Sequence, residues 1–332
     1  MVYADYWIAL QEGHLTYGTF EDYKSIINRH IKPSMKGLRM RDVLPDDITR
    51  MMKEVANFSK SVHDKTYMLA KQMFTNAYDN KLISENPCPK MHAGGRDPVE
   101  RQALTNEQMT TLIEAVKGTR AYVFCMIGLY SGLRREEILG LKWDCVRLTG
   151  TPSILVKRAC RFVHNRPVVG ERLKTKASRR VIPIPPQLVQ CLQEAKASSK
   201  SCYVIGNEDN TPYTETQFRS MWDYVRNRTV GNKSYYRYRN GKKELYSFEA
   251  KLGEQAQNNP KVKYTIDFKV TPHILRHTYI TNLLLSGADV KTVQYLAGHE
   301  RASITLDIYT HLVYNKPEEL MEKVQRAFPS SE

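Results

Sequence analysis

The stretch from Asn86 to Gln102 constrains the fold of this chain most tightly. Asn86-Pro87-Cys88-Pro89 cannot continue a helix, because each proline lacks a backbone donor and pushes the residue before it out of helical geometry. MHAGGRDPVERQ follows, and its two glycines, proline and mixed charge are linker composition. Helical patterns run on either side. The expected division is a helical domain at 1–92, a linker at 93–103 and a second domain at 104–332. A chain of 332 residues is long enough to bury two cores.

In the first domain the apolar spacing predicts four helices: Val2 to Leu10, Thr16 to Ile31, about Asp46 to Phe58, and Ser61 to Asn80. Pro33 is expected to stop the second. In the fourth, Val62, Leu69, Ala70, Met73, Phe74 and Ala77 form the buried side, and Lys65, Lys71 and Gln72 project away from it. Those three are candidate phosphate or groove contacts, with a simple solvated face as the alternative.

The second domain opens on Thr105, which with Gln108 three residues on fits a capping box. A very apolar helix, Arg120 to Tyr130, is expected at the centre of the core. Gly132 then allows a sharp turn that puts Arg134 at the start of the next helix. From Ser153 to Pro185 the period becomes strand-like. SILVKRACRFV, RPVVGERL and RRVIPI read as three antiparallel strands, with Lys174-Thr175-Lys176-Ala177-Ser178 joining the last two. Helices resume at Gln187 to Ala197 and Thr214 to Val230. The fold class is therefore mainly α with a small antiparallel β-sheet.

Segment 231–263 stands apart: it holds eight Lys or Arg against three Glu, with Tyr235, Tyr236 and Tyr238 interleaved among Lys233, Arg237 and Arg239. Asn240-Gly241 is a hairpin-turn signal. Basic residues among aromatics suit backbone contact plus base stacking, which makes Arg237, Arg239, Lys242 and Lys243 candidate DNA contacts. A solvated insertion is the alternative.

Fifty Lys and Arg against 35 Asp and Glu leave a net charge of +15. That excess favours a nucleic-acid partner, because each neutralised phosphate releases condensed counterions. No apolar run approaches the ~20 residues that span a bilayer, so no membrane partner is expected. The opening MVYADYWIALQEGH carries acids and no basic start of the secretory kind, and the expected compartment is the cytoplasm. The six cysteines are scattered with no CxxC pair, which indicates neither disulfides nor a metal site.

Near the end, Thr271 to His311 gathers His273, Arg276, His277, His299, Tyr309 and His311. Thr271-Pro272 reads as a helix start, so His273 and Arg276 leave from one face. Gly287 ends this helix, and a second runs from Asp289 to Leu296. Such a surface suits an anionic phosphate better than a metal. His273 and His277 do stand four apart, but Ile274 occupies the position where a metalloprotease has its Glu.

These residues, with Arg134 and Lys174 upstream, carry a resemblance to the tyrosine recombinases, the family of phage and transposon integrases. The arginine box stands as Ser131-Gly132-Leu133-Arg134-Arg135-Glu136-Glu137 and the second box as His273-Ile274-Leu275-Arg276-His277-Thr278. Leu296-Ala297-Gly298-His299 and Tyr309-Thr310-His311 complete the set. Ser131 departs from the family's Thr, and Ala297 stands as an insertion between Leu296 and Gly298. The chain is most similar to integrases of Gram-positive conjugative transposons and phages.

The resemblance implies a helical, SAM-like core-binding domain followed by an α+β catalytic domain, together a clamp around duplex DNA. It implies Tyr309 as nucleophile, Arg134 and Arg276 on the scissile phosphate, and Lys174 as acid to the leaving oxygen, with Lys176 as the other candidate. His273 would assist proton transfer and His299 would hydrogen-bond the phosphate. No cofactor, metal or ATP is implied. The implied partners are double-stranded attachment-site DNA, a dimer or tetramer of this chain assembled on it, an excision factor and a host DNA-bending protein. Residues 312–332 are expected to dock on a neighbouring subunit. Relatives carry a further arm-binding domain at the N-terminus, which this sequence is not expected to contain. A type IB topoisomerase would share the chemistry, and a helix-turn-helix repressor could use 271–299 without any.

Overall fold

The computed structural model describes residues 2–90, 94–97, 102–171, 179–256 and 259–314, in two compact units, Met1–Glu100 and Arg101–Glu332. The first unit is helical. It contains α1 (Val2–Leu10), α2 (Tyr17–Ile26), a π-turn at Ile27–Ile31 leading into α3 (Lys32–Ser34), α4 (Pro45–Glu54) and α5 (Lys60–Asp79). Its core joins Trp7, Ile26, Ile48, Met51, Leu69 and Phe74 from all of the longer helices. Tyr3 Oη donates to Asn76 Oδ1 at 2.7 Å and ties α1 to α5.

Pro33 does not stop the second helix. The N–H of Lys32 reaches back five residues to the Ile27 carbonyl, and this wider turn admits the proline ring so that the helix runs on to Ser34.

In the second unit α6 (Asn106–Val116) begins at Thr105, whose hydroxyl accepts from Gln108 N while the Gln108 side chain accepts from Thr105 N. α7 (Ala121–Ser131) is apolar all round and buried on nearly every side. It packs against α6, α8 (Arg135–Leu139), α9 (Pro186–Ser198), α10 (Glu215–Arg226) and α11 (Pro272–Leu285), which makes it the central element of the core. Phe124 of α7 lies 5.5 Å from the Phe218 ring and 5.6 Å from the Trp222 ring, both of α10.

The strands differ from the three expected. β1 (Val146–Arg147), β2 (Ser153–Val156) and β5 (Arg180–Pro183) form one sheet in the order β1-β2-β5, and β3 (Ala159–Val163) pairs separately with β4 (Arg166–Gly170). The single strand expected over 153–163 breaks at Lys157-Arg158. There both side chains turn to Asp144, with Lys157 Nζ at 3.3 Å and Arg158 Nη1 at 2.9 Å from its carboxylate. An ion pair at that point has more effect than the local strand pattern.

Segment 231–263 contains two two-stranded antiparallel sheets, the hairpin of β6 (Gly231–Arg239) with β7 (Lys242–Ala250), and β8 (Gln255–Ala256) paired with β9 (Asn259–Lys263). Asn240 and Gly241 both take positive φ, as a two-residue hairpin turn with the right twist requires. Tyr235 stacks on Tyr246 across the strands at 6.1 Å, and Arg237 lies over both rings at 5.0 and 5.2 Å. α12 (Val290–Ala297) and α13 (Ala302–Tyr314) follow α11 and pack against it. Among the described residues no helix is long and apolar enough to cross a membrane.

Because Phe124 is fully buried between two aromatic neighbours, Phe124→Ala should destabilise the second unit by about 3–5 kcal/mol. Urea unfolding followed by tryptophan fluorescence would measure it; a loss under ~1 kcal/mol would show that α7 is not the centre of the core.

Candidate active site

The site begins where α7 ends. Gly132 caps it at φ +60, and a Cβ there would come within 2.2 Å of the Tyr279 ring, so only glycine fits both the turn and the packing. The turn makes Arg134 the N-cap of α8. Its N–H donates to Glu137 Oε2 at 2.9 Å and its Nη1 to Glu137 Oε1 at 2.8 Å. Ser131, which replaces the family's threonine, is buried and donates its hydroxyl to the Ile127 carbonyl at 2.7 Å.

α11 starts as the Thr271-Pro272 pair implies, with Thr271 Oγ1 accepting from Ile274 N. Arg276 stands one turn in and is almost wholly buried. Its Nη1 donates to the Gly132 carbonyl at 2.8 Å and its Nη2 to the Ala297 carbonyl. Burial, then the charge of Arg134, push this guanidinium down to about 9.

The C-terminus of α12 collects the rest. Three consecutive carbonyls there accept from three different arginines: Leu296 from Arg180 Nε at 2.7 Å, Ala297 from Arg276 Nη2, and Gly298 from Arg134 Nη2 at 2.6 Å. Ala297 is the last residue of the helix, and Gly298 is its C-cap. Gly298 takes φ +65, and a Cβ on it would meet the Arg180 guanidinium at 2.8–3.1 Å.

Arg180 escaped the sequence reading. Its side chain is 0% exposed, with Nη1 at 3.1 Å from Glu137 Oε1 and Nη2 at 3.0 Å from Oε2. The available signal was strand alternation: Arg180 is in phase with buried Ile182 on β5. Burial alone would raise the Glu137 carboxyl, but the hydrogen bonds and charges of Arg180 and Arg134 outweigh it and hold the group below the usual carboxylate range.

His299 follows Gly298 and is buried, with Nδ1 at 2.8 Å from Thr305 Oγ1. Burial, then the charges of Arg276, Arg134 and Arg180, push the imidazole down to about 4, so it is neutral at neutral pH. Tyr309 lies on α13, half-buried against the same core as α11 and α12.

The structure thus brings Arg134 and Arg276 to one helix end, with His299 next along the chain and bonded to Thr305, and adds Glu137 and Arg180. His273 is exposed near the start of α11. Lys174 and Lys176 lie outside the described residues, as does residue 312 and beyond as a side-chain environment. His277 is half-buried with Nδ1 at 3.1 Å from Thr281 Oγ1, in keeping with packing. Of the outlying candidates, Lys65 pairs with Asp22, while Lys71 and Gln72 are exposed on α5. Arg237, Arg239, Lys242 and Lys243 are exposed towards the tip of the β6–β7 hairpin, and Lys243 Nζ sits 4.1 Å over the Tyr236 ring.

The chain matches the family described as phage integrase over residues 102–239 and 244–316, and the phage integrase N-terminal SAM-like domain over residues 2–55. A tyrosine recombinase XerC-like protein of Caldanaerobacter subterraneus subsp. tengcongensis is 27% identical over 336 residues, covering 93% of this chain and 78% of its own. The ICEBs1 integrase of Bacillus subtilis is 24% identical over 322 residues, covering 92% and 77%. In fold, the Tn1549 transposon integrase, solved in complex with transposon right end DNA, superposes with a TM-score of 0.72 at 18% identity over 97% of this chain and 98% of that one. A lambda integrase tetramer bound to a Holliday junction gives a TM-score of 0.61 at 14% identity over 92% and 76%.

Removing Arg180 should leave Glu137 buried with one cation instead of two. Arg180→Met is expected to lower stability by about 3–5 kcal/mol at neutral pH. The depressed Glu137 carboxyl contributes stability above its unfolded pKa, and that contribution is lost as pH falls through its folded value. The wild-type advantage should therefore shrink on acidification below the usual carboxylate range. Thermal unfolding of both proteins across pH would read it, and a gap that stays constant with pH would remove Glu137 as the cause.

Proposed function

The chain belongs to the phage integrase family and is a tyrosine-type site-specific recombinase that integrates and excises mobile DNA, and we propose the following assignment of its residues. Tyr309 attacks the scissile phosphorus through Oη. The bond from phosphorus to the 5′-oxygen breaks, leaving a 3′-phosphotyrosine and a free 5′-hydroxyl. The phosphoester keeps the energy of the broken bond, so attack by a 5′-hydroxyl of the other DNA reseals the strand without ATP.

The observation that carries this reading is the charge of the cluster. Arg134, Arg180 and Arg276 converge on one helix end, and among the described residues Glu137 is the one carboxylate bonded there, to Arg134 and Arg180, so the cluster carries a surplus of positive charge that suits an anionic phosphate. Arg134 is the more open of the arginines, with its side chain 30% exposed. A phosphodiester passing through a pentacoordinate transition state supplies the missing negative charge where these groups are already fixed. His299, neutral, adds a hydrogen bond to a phosphate oxygen without further positive charge.

A phenol of pKa ~10 is a weak nucleophile at neutral pH, so its proton must leave during attack. His273, exposed three residues before Arg276, takes that role in this assignment, and Lys174 or Lys176 protonates the leaving 5′-oxygen. Glu137 and Arg180 orient the arginines and do not touch DNA.

The same reading assigns partners. Residues 1–92 serve as the core-binding domain, with Lys65, Lys71 and Gln72 at DNA phosphates or in a groove, and 104–332 as the catalytic domain joined by 93–103. Arg237, Arg239, Lys242 and Lys243 contact DNA from the hairpin. The chain acts on duplex attachment sites as a dimer or tetramer, with residues 312–332 docked on a neighbouring subunit. An excision factor and a host DNA-bending protein set direction, and the protein works in the cytoplasm at the nucleoid.

Incubation with a nicked suicide duplex carrying the attachment site should give a denaturation-resistant DNA adduct that persists in EDTA and disappears in Tyr309→Phe. DNA binding with no adduct from the unaltered protein would favour a repressor instead.

Replacing Arg237, Arg239, Lys242 and Lys243 together by Ala should weaken binding and flatten the dependence of log K on log salt by up to about one unit per lost phosphate contact. A slope equal to that of the unaltered protein would assign the hairpin to solvent.

A further inference from the structure

Thr305 and Tyr309 stand four residues apart on α13 and so project from one face of it. Thr305 is fully buried. A threonine within a helix commonly returns its hydroxyl to the carbonyl four residues back, as Thr66 does to Val62 and Thr278 to Ile274. Thr305 makes no such bond among the described residues; its hydroxyl lies at Nδ1 of His299 instead.

The ring it touches has a single proton to place. Neutral imidazole carries one N–H, and the partner of one nitrogen decides which atom holds it. Nε2 of His299 has no bond to any described protein group. A hydroxyl donating to Nδ1 puts the N–H on Nε2, where it can donate to a phosphate oxygen. The reverse tautomer would present a lone pair to the phosphate and repel it.

We propose that Thr305 is a positioning residue for strand cleavage: its hydroxyl donates to Nδ1, holds His299 as the Nε2–H tautomer, and pins the helix that carries Tyr309 to the Gly298–His299 turn. This rests on the reading that His299 meets the phosphate and Tyr309 attacks it. One buried hydrogen bond then serves both proton placement and the register of the nucleophile, since a slip of α13 would break it.

Three variants of the full chain test this on the suicide duplex. Thr305→Val keeps the shape and removes the donor, and adduct formation should slow roughly tenfold or more with DNA affinity unchanged. Thr305→Ser restores the hydroxyl and should recover most of the rate. In a His299→Ala background, Thr305→Val should have no further effect, because its partner is already gone. Full activity in Thr305→Val, or an equal added loss in the His299→Ala background, would overturn the proposal. Histidine-selective 15N spectra give a readout independent of cleavage. They should show His299 protonated on Nε2 in the unaltered protein, and a resonance protonated on Nδ1 would also overturn it. An adduct that survives Tyr309→Phe would instead sink the nucleophile assignment, leaving the spectrum to judge Thr305.

Discussion

The last turn of α12 is the interaction on which the second unit's chemistry depends. A helix ends with carbonyls that have no partner within it, and its C-terminus carries partial negative charge. Here three such carbonyls in a row, on Leu296, Ala297 and Gly298, are met by Arg180, Arg276 and Arg134. Those arginines come from β5, α11 and the start of α8, elements separated by long stretches of chain. One short helix end therefore brings three distant segments into register. Gly298 is part of the device, since any side chain there would displace the Arg180 guanidinium.

Among the described residues the arrangement does not neutralise itself. Backbone carbonyls share the arginine charge without cancelling it, and Glu137 answers only part of it. Burying such a cluster opposes folding, and apolar side chains of the same volume would commonly be more stable. The pressure shows in the groups themselves: Arg276 is pushed down to about 9, and His299 to about 4. On the proposed assignment, catalysis gives a reason to keep it. Donors fixed in advance need no reorganisation when charge accumulates on a phosphate, and excluding water raises what each of them contributes.

The sequence made much of this legible and left one central piece hidden. Gly132, Arg134, Thr271-Pro272, Arg276 and Gly298-His299 were readable because turn chemistry and short motifs hold them at fixed spacing. Arg180 was not, because an arginine beside another arginine at a strand start reads as solvated surface; only its phase with Ile182 betrays it. Pro33 misled in the opposite sense, because a π-turn ahead of it rescued the helix. The strand over 153–163 was misjudged since Asp144, outside the window, draws Lys157 and Arg158 out of line. Local period carries no information about a partner that arrives from elsewhere in the chain. Thr305 was passed over for the same reason, being an unremarkable helix residue until His299 is placed against it.

The two departures from the family pattern show which properties the site requires. Ser131 keeps the hydroxyl that closes back on Ile127 and gives up only a methyl group, in a position already fully buried. Ala297 contributes its backbone, whose carbonyl receives Arg276, and its small side chain lets the helix end pack without exposure. In both cases what the neighbours use is retained: a donor in one, a carbonyl at a set rise along the helix in the other. Replacing an arginine of the cluster would be different in kind, because the planar fork that serves two acceptors at once has no substitute among the other side chains. Tolerance in this site therefore follows the atoms that are bonded, and a residue can vary wherever its part is played by the main chain.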